Sequence, residues 1–497
     1  MYSVDHRRDA SGHLFFCSGR KAFFGRTKYR IMRGAQIFLQ NCSGKGEKMK
    51  KVQSDFTKYI MFSVAGMLGS AGTILADTYF VSNRLGAQGL TALNLAIAVF
   101  GLINGTGMML GAGGAARYVI LKTQGKNQEA DQVFTTAFMA AVLAGLLFLG
   151  GGLLFSGQLA ALLGADESVL PMCQVYLKTI LCFAPFFVMN HFFMIFIRSD
   201  KNPRLSAAAM LTASAANIVL DFVMMYPMDL GIFGAALATG LSPVIGLCIC
   251  SMHMVLKKNR FHLKRSGVSG SELRRLLSIG LSSFVNEFSA SIVLIVYNLL
   301  ILRCAGNTGI AAYGIVANLA LVVMAVFTGI SQGIQPLLGR AFGKGREEEL
   351  RWLYRAGSVL CICLGAGTLI LAYGCTEQLV SLFNSENDRM LQRLAENGMR
   401  MYFTGFLFAG INVVTTSLFA SMQKPGIACL ISVFRGCVGV IAGAVVFSAF
   451  FGMNGIWISF LVTEGIAFLI GRYFVQRGKA VGEEKKCPAH RKKCPAS

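Results

Sequence analysis

Charged side chains are scarce in this sequence, and acidic ones are the scarcer kind. Asp, Glu, Lys and Arg make up 14% of the 497 residues, with 24 acidic residues against 47 Lys and Arg, whereas 54% are hydrophobic. A chain of this length with so little charge is too apolar for a soluble globular protein. We therefore predict a polytopic membrane protein, in which the excess of Lys and Arg reports orientation rather than binding to nucleic acid.

The motifs of several enzyme classes are also missing. The 14 cysteines include no C-x-x-C pair and mostly lie in apolar runs, so we predict neither a disulfide framework nor a metal site. No H-E-x-x-H or comparable ligand set occurs, and the glycines lie within apolar runs rather than in a phosphate-binding loop. The sequence thus predicts that this protein is not an enzyme.

Apolar runs long enough to span a bilayer are abundant. The first, from Phe56 to Phe80, has only Lys58 and Asp77 as charged residues. Twelve spans are predicted at residues 56–82, 90–116, 132–155, 170–197, 204–226, 232–256, 276–302, 310–338, 354–373, 398–421, 427–450 and 453–475. Most Lys and Arg residues fall on one side of this array, which places both termini in the cytoplasm by the positive-inside rule.

The two halves of the chain resemble each other. Gly89-Leu90-Thr91-Ala92 in the second span returns as Gly309-Ile310-Ala311-Ala312 in the eighth, a shift of about 220 residues. Because six spans are an even number, both copies enter from the same side, and the two lobes should be related by a pseudo-two-fold axis along the membrane normal. The predicted fold is an all-α polytopic membrane protein with twelve transmembrane helices in two six-helix lobes.

The predicted domains follow from this repeat. Residues 1–48 are basic and lack a span, so they form either a disordered tail or an extension that is not normally translated, with Met49 as the usual start. The other predicted segments are a first lobe at 49–256, a cytoplasmic linker at 257–275, a second lobe at 276–475 and a basic cytoplasmic tail at 476–497.

A few acidic residues inside the spans are candidates for function. Asn217 and Asp221 are four residues apart and share one helix face, and Asp77 should reach a similar depth on the first helix. Burying a carboxylate in hydrocarbon is costly unless a partner or a cation compensates it. These three residues predict an oxygen-rich site for a proton or cation, although both acids would also be tolerated at outer helix ends facing the interface.

The second half has acids of its own. Glu287 in the seventh span and Glu464 in the twelfth have no Lys or Arg three or four residues away, which favours a protonated carboxyl or a polar cavity over a salt bridge. For Glu464, a structural hydrogen bond between helices is an equal alternative. His191, beside Asn190, is either a proton carrier or an ordinary interhelical donor.

Several stretches together resemble the multidrug and toxic compound extrusion family of transporters, and within it a branch of bacterial multidrug exporters. The resemblance covers about residues 50–475 and rests on Ala76-Asp77-Thr78-Tyr79-Phe80-Val81, Ala92-Leu93-Asn94, Asn217-Ile218-Val219-Leu220-Asp221 and Gly234-Ala235-Ala236-Leu237-Ala238-Thr239. It implies that Asp77, Asn217, Asp221 and Thr239 bind a proton or sodium ion, and that Glu287 takes part in coupling. Two departures are a first helix without proline and a tenth helix that offers Asn412 in place of an acid.

The resemblance implies a multidrug exporter in the bacterial cytoplasmic membrane that exchanges a proton or sodium ion for amphiphilic, often cationic, organic compounds. We expect a monomer that contacts lipid, needs no cofactor beyond the coupling ion and binds no nucleic acid. Expected cavity residues are Asn94, Met108, Asn190, Tyr297, Tyr313 and Asn412. The alternative is a flippase for lipid-linked oligosaccharides, whose pyrophosphate cargo would require a cationic cavity that these spans do not predict.

Overall fold

The computed structural model describes residues 46–264, 269–381, 383–384 and 388–481. The predicted N-terminal extension up to residue 45, residues 265–268 of the predicted linker and the predicted tail from residue 482 lie outside the described residues. All regular secondary structure in the described part is helical.

Eight of these helices are long and apolar enough to cross a membrane, and two bent pairs raise the number to ten. Two of the long helices are each broken at a glycine, so that counting both sides of each break gives twelve segments. They are α1 (Met49–Gly86), α2 (Gln88–Thr123), α3 (Asn127–Leu162), α4 (Leu170–Cys182 and Ala184–Ser199), α5 (Pro203–Met225), α6 (Gly231–Val255), α7 (270–305), α8 (307–343), α9 (Glu347–Gly374), α10 (Arg389–Thr404 and Phe406–Ser421), α11 (425–451) and α12 (453–477).

A short helix at Thr376–Ser381 precedes α10, and a π-helical turn at Phe434–Val438 interrupts α11. The protein is a multi-pass membrane protein, and the predicted all-α fold of twelve segments in two lobes is confirmed.

Glycine makes the sharp reversals between paired helices possible. Gly86 joins α1 to α2 with φ 61° and ψ −151°, and Gly306 joins α7 to α8 with φ 62° and ψ −156°. Gly452 does the same between α11 and α12 with φ 56° and ψ −133°. Residues with a Cβ rarely adopt this region, so a helix can reverse here without a longer loop. The matching geometry at Gly86 and Gly306 is a structural expression of the internal repeat.

Some helices extend beyond their predicted spans. The structure has α3 at Asn127–Leu162 where the apolar run predicted 132–155, and α10 begins at Arg389 rather than at residue 398. Helix N-caps explain part of this difference, since the Asp388 side chain accepts hydrogen bonds from the amides of Met390 and Leu391. A window that searches only for apolar residues misses such polar first turns.

Each lobe has its own hydrophobic core, rich in aromatic rings. In the first lobe, Phe261 stacks on Phe134 with ring centroids 4.4 Å apart and is almost completely buried. Phe261 follows α6, so the first part of the predicted linker packs into the core of the first lobe. In the second lobe, the fully buried Trp457 lies 5.9 Å from the ring of Tyr313.

The lobes contact each other along α2 and α7, and the contact continues to the end of the bundle where the turns at 124–126, 200–202, 344–346 and 422–424 lie; we call it the basal end. Gly280 of α7 packs directly against the backbone of Met109 in α2, and Gly113 of α2 packs against the backbone of Leu276. Side chains at these positions would overlap the opposite helix. Small residues therefore let α2 and α7 approach at backbone distance.

Two arginines add polar contacts between the lobes at the basal end. Arg340 of α8 donates through Nη2 to Tyr59 Oη of α1 at 2.8 Å and to the Ser199 carbonyl oxygen of α4 at 2.9 Å. Arg198 of α4 donates through Nη1 to Gln332 Oε1 of α8 at 2.7 Å. These contacts hold the lobes together on this side of the membrane.

Candidate functional site

The structure brings Asp77 of α1 and Asp221 of α5 together inside the first lobe. Asp221 is fully buried, and its carboxyl is close enough to Asp77 for the two charges to interact. Asp77 is half-buried as a residue, but its Oδ1 atom is shielded from solvent. The similar depth that the sequence predicted for these two acids is thus accompanied by proximity.

Asn217 links Asp221 to the neighbouring helix α6. Its side-chain amide lies 3.2 Å from Asp221 Oδ2 and 3.2 Å from the backbone nitrogen of Thr239. With the amide nitrogen toward the carboxylate, Asn217 donates to Asp221 and accepts from the Thr239 amide. The spacing of four residues between Asn217 and Asp221 places both on the same face of α5, as expected.

Oxygen atoms in this pocket lack the partners that buried carboxyls normally have. Asp77 Oδ1 and Asp221 Oδ1 are buried without a hydrogen bond, and no Lys or Arg among the described residues forms an ion pair with either group. Two ionised carboxylates in such a place repel each other and are poorly solvated. A proton or a small cation bound between them would relieve both effects.

Tyr176 of α4 completes the pocket, and sequence reasoning missed it. The residue is almost fully buried, its hydroxyl lies beside the Thr239 side chain, and it is within electrostatic range of Asp77 and Asp221. Nothing in the local sequence distinguishes Tyr176 from other aromatic residues in apolar spans. Only the packing of α4 against α6 shows that its hydroxyl lies beside Thr239 and within electrostatic range of the acids.

The donor set consists of hard oxygen atoms, which suit a proton or a small, hard cation. Carboxylate, amide and hydroxyl oxygens surround the pocket, and these are hard donors suited to such ions. Among the described residues, no group of three or more His, Cys, Asp or Glu side chains could hold a metal ion. Binding of a coupling ion by Asp77, Asn217, Asp221 and Thr239 stays a prediction, and the arrangement of their oxygen atoms is compatible with it.

Glu287 lies elsewhere, on the side of α7 that packs against α2. Its carbonyl oxygen is 3.6 Å from the position that a Cβ on Gly101 would take, and one turn further Ser291 donates to the Ile97 carbonyl oxygen at 3.2 Å. The Glu287 side chain is half-buried and has no ion pair within the described chain. No hydrogen bond joins it to the acidic pocket of the first lobe in that same part of the chain.

Glu464 differs from the sequence expectation. Its carboxylate forms a buried salt bridge with Arg435 of α11, with Nη2 2.7 Å from Oε1, and it accepts a hydrogen bond from Asn412 Nδ2 at 2.7 Å. The expectation that Glu464 has no cationic partner is wrong, and the alternative of a hydrogen bond between helices is confirmed. A search at three or four residues covers a single helix and cannot find a partner on a neighbouring one.

The six expected cavity residues are divided between surface and interior. Asn94 is exposed and Met108 is half-buried, both on α2. The remaining four are buried within the lobes, where Asn190 faces Gly246, Tyr297 shares a hydrogen bond with Ser459 at 2.8 Å, Tyr313 packs on Trp457, and Asn412 binds Glu464. Contact of these four with a cargo stays a prediction that requires them to become accessible. His191, the other candidate, lies 3.2 Å from Asn104 Oδ1 within the first lobe.

Comparison with known proteins agrees with this architecture. A model of the MatE family matches residues 63–223 and 283–446, one stretch in each lobe. The chain is 25% identical over 431 residues to the multidrug export protein MepA of Staphylococcus aureus strain MSSA476, covering 84% of this chain and 93% of MepA. It is also 25% identical over 429 residues to MepA of Staphylococcus saprophyticus, covering 85% and 94% of the two chains.

Solved structures share the fold at low sequence identity. A MOP superfamily transporter from Pyrococcus furiosus matches with a TM-score of 0.80 at 20% identity, over 86% of this chain and 96% of that one. The outward-facing conformation of a multidrug resistance MATE family transporter matches with a TM-score of 0.79 at 21% identity, over 86% and 97%. At these identities the likeness shows a common fold.

Proposed function

Because the chain belongs to the MatE family, we propose that it is a secondary active multidrug exporter that exchanges a proton or sodium ion for amphiphilic organic cations. The export of drugs is what the MepA relatives are named for. The single observation that carries the coupling part of the proposal is the pair of buried, unpartnered carboxyl oxygens of Asp77 and Asp221. Ionisable side chains buried inside a membrane cost folding free energy and usually have a function.

The proposed cycle alternates access to the space between the lobes. The basal contacts between α2 and α7 and between α1 and α8 support a state closed at the basal end. In the proposed orientation, in the bacterial cytoplasmic membrane, the basal end faces the cytoplasm, where the positive-inside rule places the basic turns. The coupling ion would then enter from the opposite side.

Binding of the ion changes the charge that α1 carries at Asp77. Neutralising Asp77 and Asp221 removes their mutual repulsion and permits α1 and α5 to pack more closely, which gives the two charge states different preferred conformations. Cargo leaves from one state and the ion leaves from the other. When one coupling ion is exchanged for one monovalent cation, no net charge crosses and the concentration gradient of the ion supplies the drive. Each coupling ion beyond one per cargo cation would add about 2.3 kcal/mol for every 100 mV of membrane potential.

The test is ethidium efflux from vesicles in which proton and sodium gradients are imposed separately. Asp77→Asn and Asp221→Asn are each expected to lower gradient-driven efflux by about tenfold or more, since they remove a carboxylate that the ion must neutralise. Asp229→Asn is the matched control, because Asp229 follows α5 but is exposed and pairs with Arg84 at 2.8 Å. Efflux in that variant should stay within about twofold of the parent.

The two gradients also identify the ion, since only the coupling gradient should support efflux by the parent. Full gradient-driven efflux by both pocket variants would contradict the assignment of the site. Loss of efflux in Asp229→Asn as severe as in the pocket variants would show that the loss reflects any change of charge near α5.

A further inference from the structure

The buried salt bridge of the second lobe is unusually complete. Besides the contact between Arg435 Nη2 and Glu464 Oε1 at 2.7 Å, Arg435 Nε donates to Glu464 Oε2 at 3.3 Å, so the guanidinium holds both carboxylate oxygens. Glu464 is 1% exposed and Arg435 is 8% exposed. A bidentate contact of this kind engages both carboxylate oxygens and neutralises their charge.

Asn412 supplies a neutral donor to the same carboxylate. Its Nδ2 atom lies 2.7 Å from Glu464 Oε2 and 2.9 Å from the Glu464 carbonyl oxygen. Tyr402 of α10 is a further titratable group within electrostatic range of Glu464, and its ring stacks on Phe460 at 4.1 Å. Within the described residues, the side-chain partners found for the Glu464 carboxylate are thus one guanidinium and one amide.

Arg435 reaches this position through an irregular turn of α11. Residues Phe434–Val438 form a π-helical turn, a rare conformation that often marks functional sites and that changes the direction of the side chains within it. Gly436 in this turn packs against Ser289 of α7, where a Cβ would be 3.1 Å from the serine side chain. The turn is held against α7 while Arg435 points to α12.

The internal repeat places this salt bridge close to the counterpart of the acidic pocket. Aligning Gly231-Ile232-Phe233 at the start of α6 with Gly455-Ile456-Trp457 in α12 pairs Thr239 with Thr463, the neighbour of Glu464. Aligning the breaks at Gly86 and Gly306 pairs Asp77 with Tyr297, a neutral residue.

In the acidic pocket of the first lobe, two carboxyls thus have no ion pair with a Lys or Arg among the described residues. At the corresponding place in the second lobe, the carboxylate of Glu464 is paired with the guanidinium of Arg435. The buried negative charge is therefore compensated by a protein cation in the second lobe but not in the acidic pocket of the first.

We propose that Glu464 and Asn412 form a latent site for a proton or monovalent cation, which the Arg435 guanidinium occupies permanently as a tethered cation. Arg cannot lose its proton in a protein, so this occupant never leaves the site by titration. The inference rests on the proposed ion coupling in the first lobe and adds that the Glu464 site of the second lobe does not exchange ions. Removal of Arg435 should therefore convert the second lobe into a second ion site.

The test compares Arg435→Ala with the parent by thermal unfolding of the purified full chain, between pH 5 and pH 8 and with sodium or choline chloride. Without its tethered cation, Glu464 is a buried carboxylate at pH 8 in choline, and the unfolding midpoint should be lower than at pH 5 by about 5 °C or more. Acid, sodium or millimolar guanidinium chloride should raise the midpoint again, because each supplies a cation for the vacated position.

Two further variants separate a latent site from a purely structural salt bridge. Arg435→Ala/Glu464→Gln removes both charges and is expected to lose the added response to acid, sodium and guanidinium. Arg435→Lys keeps a tethered cation and is expected to show no added response. An equal ion response in Arg435→Ala/Glu464→Gln, or a loss of stability in Arg435→Ala that no ion restores, would overturn the proposal.

Folding failure is itself informative in this design. If Arg435→Ala cannot be recovered at either pH while Arg435→Ala/Glu464→Gln can, no ion enters the position and the proposal is wrong.

Asp77→Asn/Asp221→Asn, combined with Arg435→Ala, removes the ion response of the first lobe. An absent ion response in the parent would count against the proposed function, whereas an absent response from Arg435→Ala in this background would count against the latent site.

Discussion

The close contact between α2 and α7 makes a quantitative prediction about Gly280→Ala. A Cβ at this position would lie 2.7 Å from the carbonyl carbon of Met109 and closer still to its oxygen. An ordinary contact needs 3.4 Å or more, so the carbonyl carbon alone requires a separation of about 0.7 Å and the closer oxygen requires more. Because the obstacle is helical backbone rather than a flexible side chain, it cannot move aside without moving α2.

The cost of this overlap falls on the state in which the basal ends touch. Overpacking typically costs about 1 to 3 kcal/mol, which corresponds to a change of about 5-fold to 150-fold in a population ratio. Gly280→Ala is therefore expected to shift the protein from the basal-closed state toward states with separated basal ends. This overpacking cost refers to the contact between α2 and α7, and it applies to every conformation in which the two helices keep this distance.

Spin labels on the basal turns can measure this shift. Lys126→Cys and Lys344→Cys place labels on the exposed turns after α2 and α8, in a background whose exposed cysteines have been replaced. Double electron–electron resonance should show a larger population of long distances in Gly280→Ala. Gly314→Ala in α8 is the control, because a Cβ there meets no atom within 4 Å. Identical distance distributions in Gly280→Ala and the parent would refute the role assigned to this contact.

Two other substitutions have defined outcomes. Arg340→Gln shortens a side chain that donates hydrogen bonds to Tyr59 Oη and to the Ser199 carbonyl oxygen. The same labels should therefore report a larger basal-open population. An unchanged distance distribution would contradict the bridging role of Arg340. Gly86→Ala places a Cβ on a residue with φ 61° and ψ −151°. Chemical denaturation should show a free energy of unfolding lower by about 1 to 3 kcal/mol. A free energy of unfolding equal to that of Gly314→Ala would show that alanine is not strained at this break.

Sequence was sufficient for the spans and for part of the acidic pocket, for a physical reason. Spanning a bilayer requires about 20 apolar residues, and this requirement is read directly from the chain. Depth along a helix is also fixed by residue number, which is why Asp77 and Asp221 could be placed at one level. The positions of glycine breaks such as Gly306 were less visible, because the chain stays apolar across them.

Contacts between helices that are distant in the chain could not be predicted in the same way. Tyr176 reaches the pocket because α4 packs on α6. Arg435 reaches Glu464 through a π-helical turn that no residue pattern in the sequence predicts. Periodicity describes one face of one helix, whereas the partner of a buried charge depends on how several helices are arranged. This is why Glu464 was expected to lack a cation although Arg435 lies beside it.

The difference between the lobes follows from the energetics of buried charge. In hydrocarbon, a carboxylate must be neutralised, and a cation supplied by the chain does so permanently, whereas one supplied by the solvent does so only while it is bound. Arg435 provides the first kind of compensation for Glu464, whereas the buried oxygens of Asp77 and Asp221 have no such partner among the described residues. A site that a guanidinium always fills cannot respond to an ion gradient, so under the proposed function we expect an ion-driven conformational change to begin at Asp77 and Asp221 rather than at Glu464. Under the proposed cycle, the basal contacts of α7 with α2 and of α8 with α1 are the ones that such a change must break.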